Sequence, residues 1–131
     1  MAVGEERAPP LPSARSSPTA TAYALLDRYP ASDGHALILP KRHAGGGYFR
    51  LAHQEQRACW MMTGRVRNLL GERFAPDGFN VGFNEGAAAG QTVEHPHLHV
   101  IPRYSGDAEN PTGGVRGVIP GAGDYRGSAD A

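Results

Sequence analysis

Histidine occupies every second position of His95-Pro96-His97-Leu98-His99, and the flanking run continues as Val100-Ile101-Pro102-Arg103. A period of two is that of an extended chain, which sends His95, His97 and His99 to one face and Pro96, Leu98 and Val100 to the other. At a rise of about 3.3 Å per residue, successive histidine α-carbons stand about 6.6 Å apart, within reach of one small anion or metal. On a helix the same residues splay apart. Three chemistries use such a row: metal ligation, acid–base relay and nucleophilic attack by imidazole. A strand with one idle polar face leaves three imidazoles unexplained.

Local signals before and after this run organise the chain. Tyr23 to Leu26 and Ala36 to Leu39 are apolar runs of strand length, and the intervening Tyr29-Pro30-Ala31-Ser32-Asp33-Gly34 carries turn residues, which predicts a hairpin. After Gly45-Gly46-Gly47, a helix is expected from about Phe49 to Phe74, with Cys59, Met62, Val66, Leu69 and Leu70 at three- and four-residue spacings. Gly64 interrupts that stripe and predicts a kink or a close contact. Phe79 to Phe83 and His95 to Ile101 read as strands joined by a loop from Asn84 to Thr92, and Val115 to Ile119 is the strand candidate of a Gly-rich tail. The expected fold is α+β, an antiparallel sheet of about five strands with one main helix. Residues 1–20, rich in proline and serine, read as a flexible arm, 21–104 as the core and 105–131 as the tail.

Composition narrows the function classes. The 131 residues suffice for one domain, and thirteen basic against thirteen acidic residues, with no Lys/Arg run, argue against nucleic-acid binding. A small phosphorylated ligand fits better. Cys59 is the only cysteine, so neither an intrachain disulfide nor a multi-cysteine zinc site is expected. Without a signal-peptide core or an apolar run of about 20 residues, the reading is a cytoplasmic protein that does not engage membranes.

The loop between the last two strands offers donors for phosphoryl oxygens. Asn84, Gln91 and Thr92 bring side chains, and Gly86 and Gly90 permit close approach of backbone N–H groups to an anion. No Gly-Lys-Ser/Thr follows, so this is not a Walker A loop. A zinc hydrolase on His95, His97 and His99 with Glu94 as base is one rival, although adjacent strand residues point to opposite faces. A nucleotide-binding module without turnover is another.

Gln91-Thr92-Val93, the three histidines and Ile101-Pro102-Arg103 resemble the signature of the histidine triad family of nucleotide hydrolases and transferases. The paired strands with Asp27 and Gly34-His35, and Phe79-Asn80-Val81-Gly82-Phe83-Asn84-Glu85-Gly86 before the triad, resemble that family in the same order. The resemblance covers about residues 22–104. It implies a nucleotidyl-histidine intermediate on His97 and phosphoryl contact by His99. For His95 it implies either orientation of His97 through its carbonyl or help to the leaving group. It also implies nucleotide binding by Asp27, through the ribose hydroxyls, and by Asn84, Gly90, Gln91 and Thr92, with His35 packed behind the triad. Leu25 and Leu37 would cover a base. The flanks look most like the dinucleoside-polyphosphate hydrolase branch, and the family suggests a homodimer. No cofactor or metal is expected to be required, with Mg2+ confined to substrate phosphates. Pro96, where an ordinary apolar residue is usual, and Thr112, where a basic one is common, depart from the family pattern.

Overall fold

In the computed structural model, which describes Leu11 and residues 21–127, four strands form one antiparallel sheet. Strands β1 (Ala22–Leu26) and β2 (Ala36–Pro40) make the expected hairpin, with Leu25 opposite Leu37. Helix α1 (His53–Phe74) follows, then β3 (Gly78–Gly82) and β4 (Leu98–Arg103). The spatial order is β1-β2-β4-β3, so β4 lies between its neighbours and pairs Leu37 with His99 and Gly82 with His99.

Alternation decides which residues face the helix. Ala22 and Ala24, Ala36 and Ile38, and Leu98 and Val100 are buried on one face, against Cys59, Met62, Val66 and Leu70 of α1. Leu25, Leu37 and His99, one residue out of phase on each strand, therefore share the opposite face. That face also points away from the helix.

Several expectations change in detail. α1 begins at His53, while Tyr48–Arg50 forms a separate 3-10 turn; Leu51 and Ala52, both extended, divide them. Ala52 has no side-chain cap to offer, and Glu55 instead accepts the Ala52 N–H at 3.0 Å. β4 begins at Leu98 rather than at His95, so the regular row of three imidazoles on a strand is not formed: only His99 belongs to the ladder. Pro96, buried, precedes the ladder and its missing N–H interrupts no strand pairing. Val115 to Ile119 is not a strand, because Gly114–Val118 folds as a 3-10 turn after Gly113 takes a φ of 87°. The sheet therefore has four strands among the described residues. The arm expected over residues 1–20 lies outside them apart from Leu11, which is buried in the core.

The helix passes through Gly64 without interruption, and a Cβ placed there meets nothing within 4 Å. The close contact is therefore absent. Gly64 then contributes only the conformational freedom of the unfolded chain, so Gly64→Ala is expected to raise the unfolding free energy by about 0.5–1 kcal/mol. Urea titration of the two proteins measures this; an unchanged or lowered midpoint contradicts an open helical site at Gly64.

Candidate active site

Immediately beyond the β1–β2 ladder, the Asp27 N–H donates to the His35 carbonyl at 2.8 Å, so these residues face each other across the hairpin mouth. Gly34 makes the turn into β2 with a φ of 89°, and a Cβ there would meet the Phe74 ring at 2.7 Å, so glycine is required by both backbone and space. The Gly34-His35 pair thus seats His35, only 5% exposed, beneath the open face of the sheet.

The hydrogen bonds around His35 settle its tautomer. Its Nδ1 accepts the Ala31 backbone N–H at 2.9 Å, so the single proton of a neutral ring sits on Nε2. That Nε2 lies 2.9 Å from His99 Nδ1 and 3.5 Å from Asp27 Oδ2. His35 therefore donates to His99, and a neutral His99 keeps its own proton on Nε2. Burial lowers the affinity of both rings for a second proton: desolvation dominates at each, with Asp27 pulling the other way. The result is a chain of neutral imidazoles with a fixed direction, from the Ala31 amide through His35 to His99.

His97 is set from the other side. Its Nδ1 is 2.9 Å from the His95 carbonyl, which can only accept, so Nδ1 carries a proton and in a neutral ring Nε2 has the lone pair. The His97 and His99 rings are 5.0 Å apart and near edge-on, at 68°. In its neutral form His97 thus presents an Nε2 lone pair beside the Nε2–H donor of His99.

His95 is not part of that pair. Its Nε2 reaches the Pro40 carbonyl at 3.2 Å, its Nδ1 takes the Ala44 N–H at 3.3 Å, and His43 stacks on its ring at 5.4 Å. Both nitrogens are engaged by the 40–44 segment. His35, rather than His95, joins His99 in the tight cluster. His53 is exposed at the start of α1.

The loop after β3 supplies glycine conformations and one polar brace. Gly86 and Gly90 have φ of 88° and 94°, flanking the 3-10 turn Ala87–Ala89. Gln91 Oε1 accepts the Gly86 N–H at 2.8 Å, while its amide donates to the carbonyls of Val93 and Glu94 at 3.1 and 3.3 Å. The side chain of Gln91 thus closes the loop on itself. Asn84, Gly90 and Thr92 are exposed on it. Asp27 Oδ1 accepts the Tyr29 N–H at 2.9 Å and, as a carboxylate, retains lone pairs for a further donor.

Asp27, His35 and His99 bring ligand atoms within 4.8 Å of one another, the spacing of a metal site. The ring of His35 does not fit that task. To ligate through Nε2 it must give up the proton that the Ala31 amide directs there, or break the Ala31 bond. The triad itself makes no such group among the described residues, since His95 is held elsewhere.

The HIT domain family profile matches residues 12–106. The chain belongs to the HIT domain family. It is 37% identical over 92 residues to the bis(5'-adenosyl)-triphosphatase of Dictyostelium discoideum, covering 70% of this chain and 61% of that protein. Identity to the AP-4-A phosphorylase of Mycobacterium tuberculosis is 38% over 101 residues, covering 75% and 51%. The chain thus spans little more than half the length of these curated relatives. Among solved structures, a Zn-bound histidine triad family protein from Mycobacterium smegmatis superposes with a TM-score of 0.65 at 30% identity, over 83% of this chain and 76% of that one. These HIT relatives are nucleotide hydrolases and transferases in two cases, and the solved structure carries the same fold.

The Ala31 amide and the Pro40 and Ala44 contacts leave no trace in the sequence, because backbone groups at these positions impose no residue preference. His35 was legible only through its Gly-His context.

The neutral state of His35 and His99 has a consequence for stability. Both bind protons more weakly folded than unfolded, so the unfolded chain takes up more protons once the pH falls below about 6.5. Their contribution is intact above that pH and is lost as the pH falls through the lowered folded values. Chemical denaturation between pH 7.5 and 5 should show falling stability, with a shallower slope in His35→Gln. A slope equally steep in the variant contradicts the assignment.

Proposed function

We propose that the chain is a nucleotide hydrolase or nucleotidyl transferase that acts on the α-phosphate of a nucleoside 5'-phosphoryl compound, with dinucleoside polyphosphates as the substrate class. The observation that carries this reading is the bond from His97 Nδ1–H to the His95 carbonyl, which in the neutral ring puts the lone pair on Nε2, beside the His99 ring. In the first step Nε2 of His97 forms a bond to the α-phosphorus as the bond to the leaving phosphate oxygen breaks. His99 Nε2–H donates to a non-bridging oxygen as charge develops there. Water, or inorganic phosphate in a phosphorylase, then attacks phosphorus, breaks the P–N bond and restores His97.

Asp27 receives the ribose hydroxyls in this reading, at the mouth of the hairpin. Leu25 and Leu37, paired across β1 and β2, offer an apolar platform in the same row as His99. Gly90, Thr92 and Asn84 on the exposed loop approach the phosphates. The similarity to a bis(5'-adenosyl)-triphosphatase and an AP-4-A phosphorylase supports the substrate class.

No metal enters this scheme beyond Mg2+ on substrate phosphates. The M. smegmatis relative is zinc-bound, so the point is open to direct test. Protein purified without chelator should hold substoichiometric zinc and lose no turnover to EDTA once Mg2+ is restored. One zinc per chain that is needed for activity contradicts the scheme.

The chain is also proposed to act as a homodimer. Trp60 and Met61 stand 51% and 70% exposed on α1. Light scattering at tens of micromolar should give twice the chain mass, and a monomer there overturns this.

Turnover across diadenosine polyphosphates, adenosine phosphoramidate and adenosine phosphosulfate, with and without phosphate, identifies the reaction. Rapid quenching without acid should trap a nucleotidyl adduct on His97 alone. His97→Ala should lower kcat by roughly 10^3-fold or more with nucleotide binding retained. Nucleotide binding without turnover of any of these compounds favours a binding module. Asp27→Ala should weaken ribonucleotide binding by about 1–3 kcal/mol and leave a 2',3'-dideoxy analogue unaffected. Equal losses for both sugars return Asp27 to its turn.

A further inference from the structure

His95 sits at residues 94–97, outside the β4 ladder, so sheet pairing does not fix its backbone. Its ring does, through the Pro40 carbonyl and the Ala44 N–H. The 40–44 segment therefore helps to hold the carbonyl that orients His97, together with the Gln91 amide on the neighbouring Glu94 carbonyl.

Pro40 ends β2, and the Lys41 N–H still donates to the Thr21 carbonyl at 2.7 Å. Beyond that point the segment leaves the sheet, and Gly45-Gly46-Gly47 follows with positive φ at Gly46 and Gly47. Arg42 lies in the middle of this departure. Its Nε and Nη2 donate to Glu55 Oε2 and Oε1 at 3.0 and 2.9 Å, a two-pronged pair, and Glu55 is 5% exposed at the first turn of α1. The same Oε1 accepts the Ala52 N–H. One buried carboxylate thus joins the helix start to the segment that carries Pro40 and Ala44.

We infer that the Arg42–Glu55 pair is a positioning device for the reaction, holding the 40–44 segment against His95 so that the His95 carbonyl keeps the proton of His97 on Nδ1. The inference rests on the proposed role of His97 for its kinetic consequence but not for its structural one. Arg42 and Glu55 touch no reacting atom. The carboxylate is drawn below its ordinary range chiefly by the Arg42 hydrogen bonds, against the desolvation that opposes them, so it stays charged at neutral pH.

The guanidinium fork matters to this role. Lysine in place of Arg42 supplies charge without two parallel donors, so it restores attraction but not the angle of the segment. Removing Arg42 alone strands a buried carboxylate, which threatens folding for reasons unrelated to His97. Pairing Arg42→Met with Glu55→Gln removes the charge as well as the fork and keeps the test readable.

The experiment compares the full-length wild type, Arg42→Lys, the double variant Arg42→Met/Glu55→Gln and, as a control for lost helix charge, Arg57→Met. Side-chain 15N spectra report the tautomer of His97, and steady-state kinetics with diadenosine polyphosphates report kcat and KM. In the wild type and Arg57→Met, His97 should show a protonated Nδ1 and a bare Nε2. The double variant should show mixed tautomers, kcat lower by about tenfold to a hundredfold and KM within about twofold. Arg42→Lys should fall between. A double variant with the wild-type His97 pattern overturns the inference, whether or not its kcat or melting temperature has fallen. Absence of turnover in the wild type itself defeats the proposed reaction instead, and the tautomer comparison still decides the clamp.

Discussion

The hydrogen bond between His97 Nδ1–H and the His95 carbonyl is the interaction on which the site depends. An imidazole has one proton to place when neutral, and a carbonyl can only accept, so this contact alone decides which nitrogen of the neutral ring has the lone pair. The same logic runs in the opposite sense at His35, where a backbone amide can only donate and so sends the proton to Nε2 and on towards His99. Two backbone groups of opposite character, at residues 31 and 95, thus turn a cluster of similar rings into one acceptor and one donor. Burial reinforces the arrangement, because desolvation holds His35 and His99 neutral where a second proton would erase the direction of the chain.

The fold supplies this contrast at little structural expense. A hairpin mouth brings Asp27 opposite His35, and the insertion of β4 between β2 and β3 brings His99 opposite Leu37. Every one of these positions follows from the two-residue alternation that buries Ala36, Ile38, Leu98 and Val100 against α1. A one-residue slip of β4 would send His99 into the core. Packing and chemistry are therefore set by the same register.

Much of this was legible in the chain. Alternation in Ala36 to Leu39 and Leu98 to Val100, the turn residues between β1 and β2, and the spacing of Cys59, Met62, Val66 and Leu70 carry the α+β architecture, because burial on one face leaves a periodic trace. The family features in order from Asp27 to Arg103 mark the candidate site. The start of β4 was not legible, since His95 and His97 keep the alternating pattern while Pro96 precedes the ladder. The strand expected at Val115 to Ile119 is replaced for a related reason: β-branched residues favour strands, but glycines at 113, 114 and 117, with no pairing strand among the described residues, leave a 3-10 turn. Arg42 and Glu55 stood thirteen residues apart with no shared motif, and only the fold brings them together.

A covalent intermediate on His97 requires two in-line displacements at the same phosphorus, each inverting it, and therefore overall retention of configuration. The most direct measurement is turnover of a substrate made chiral at the α-phosphorus by sulfur and an oxygen isotope, with product configuration read by 31P NMR. Retention is the predicted result. Inversion would mean that water attacks phosphorus directly, and would contradict the assignment of the His97 lone pair as the nucleophile.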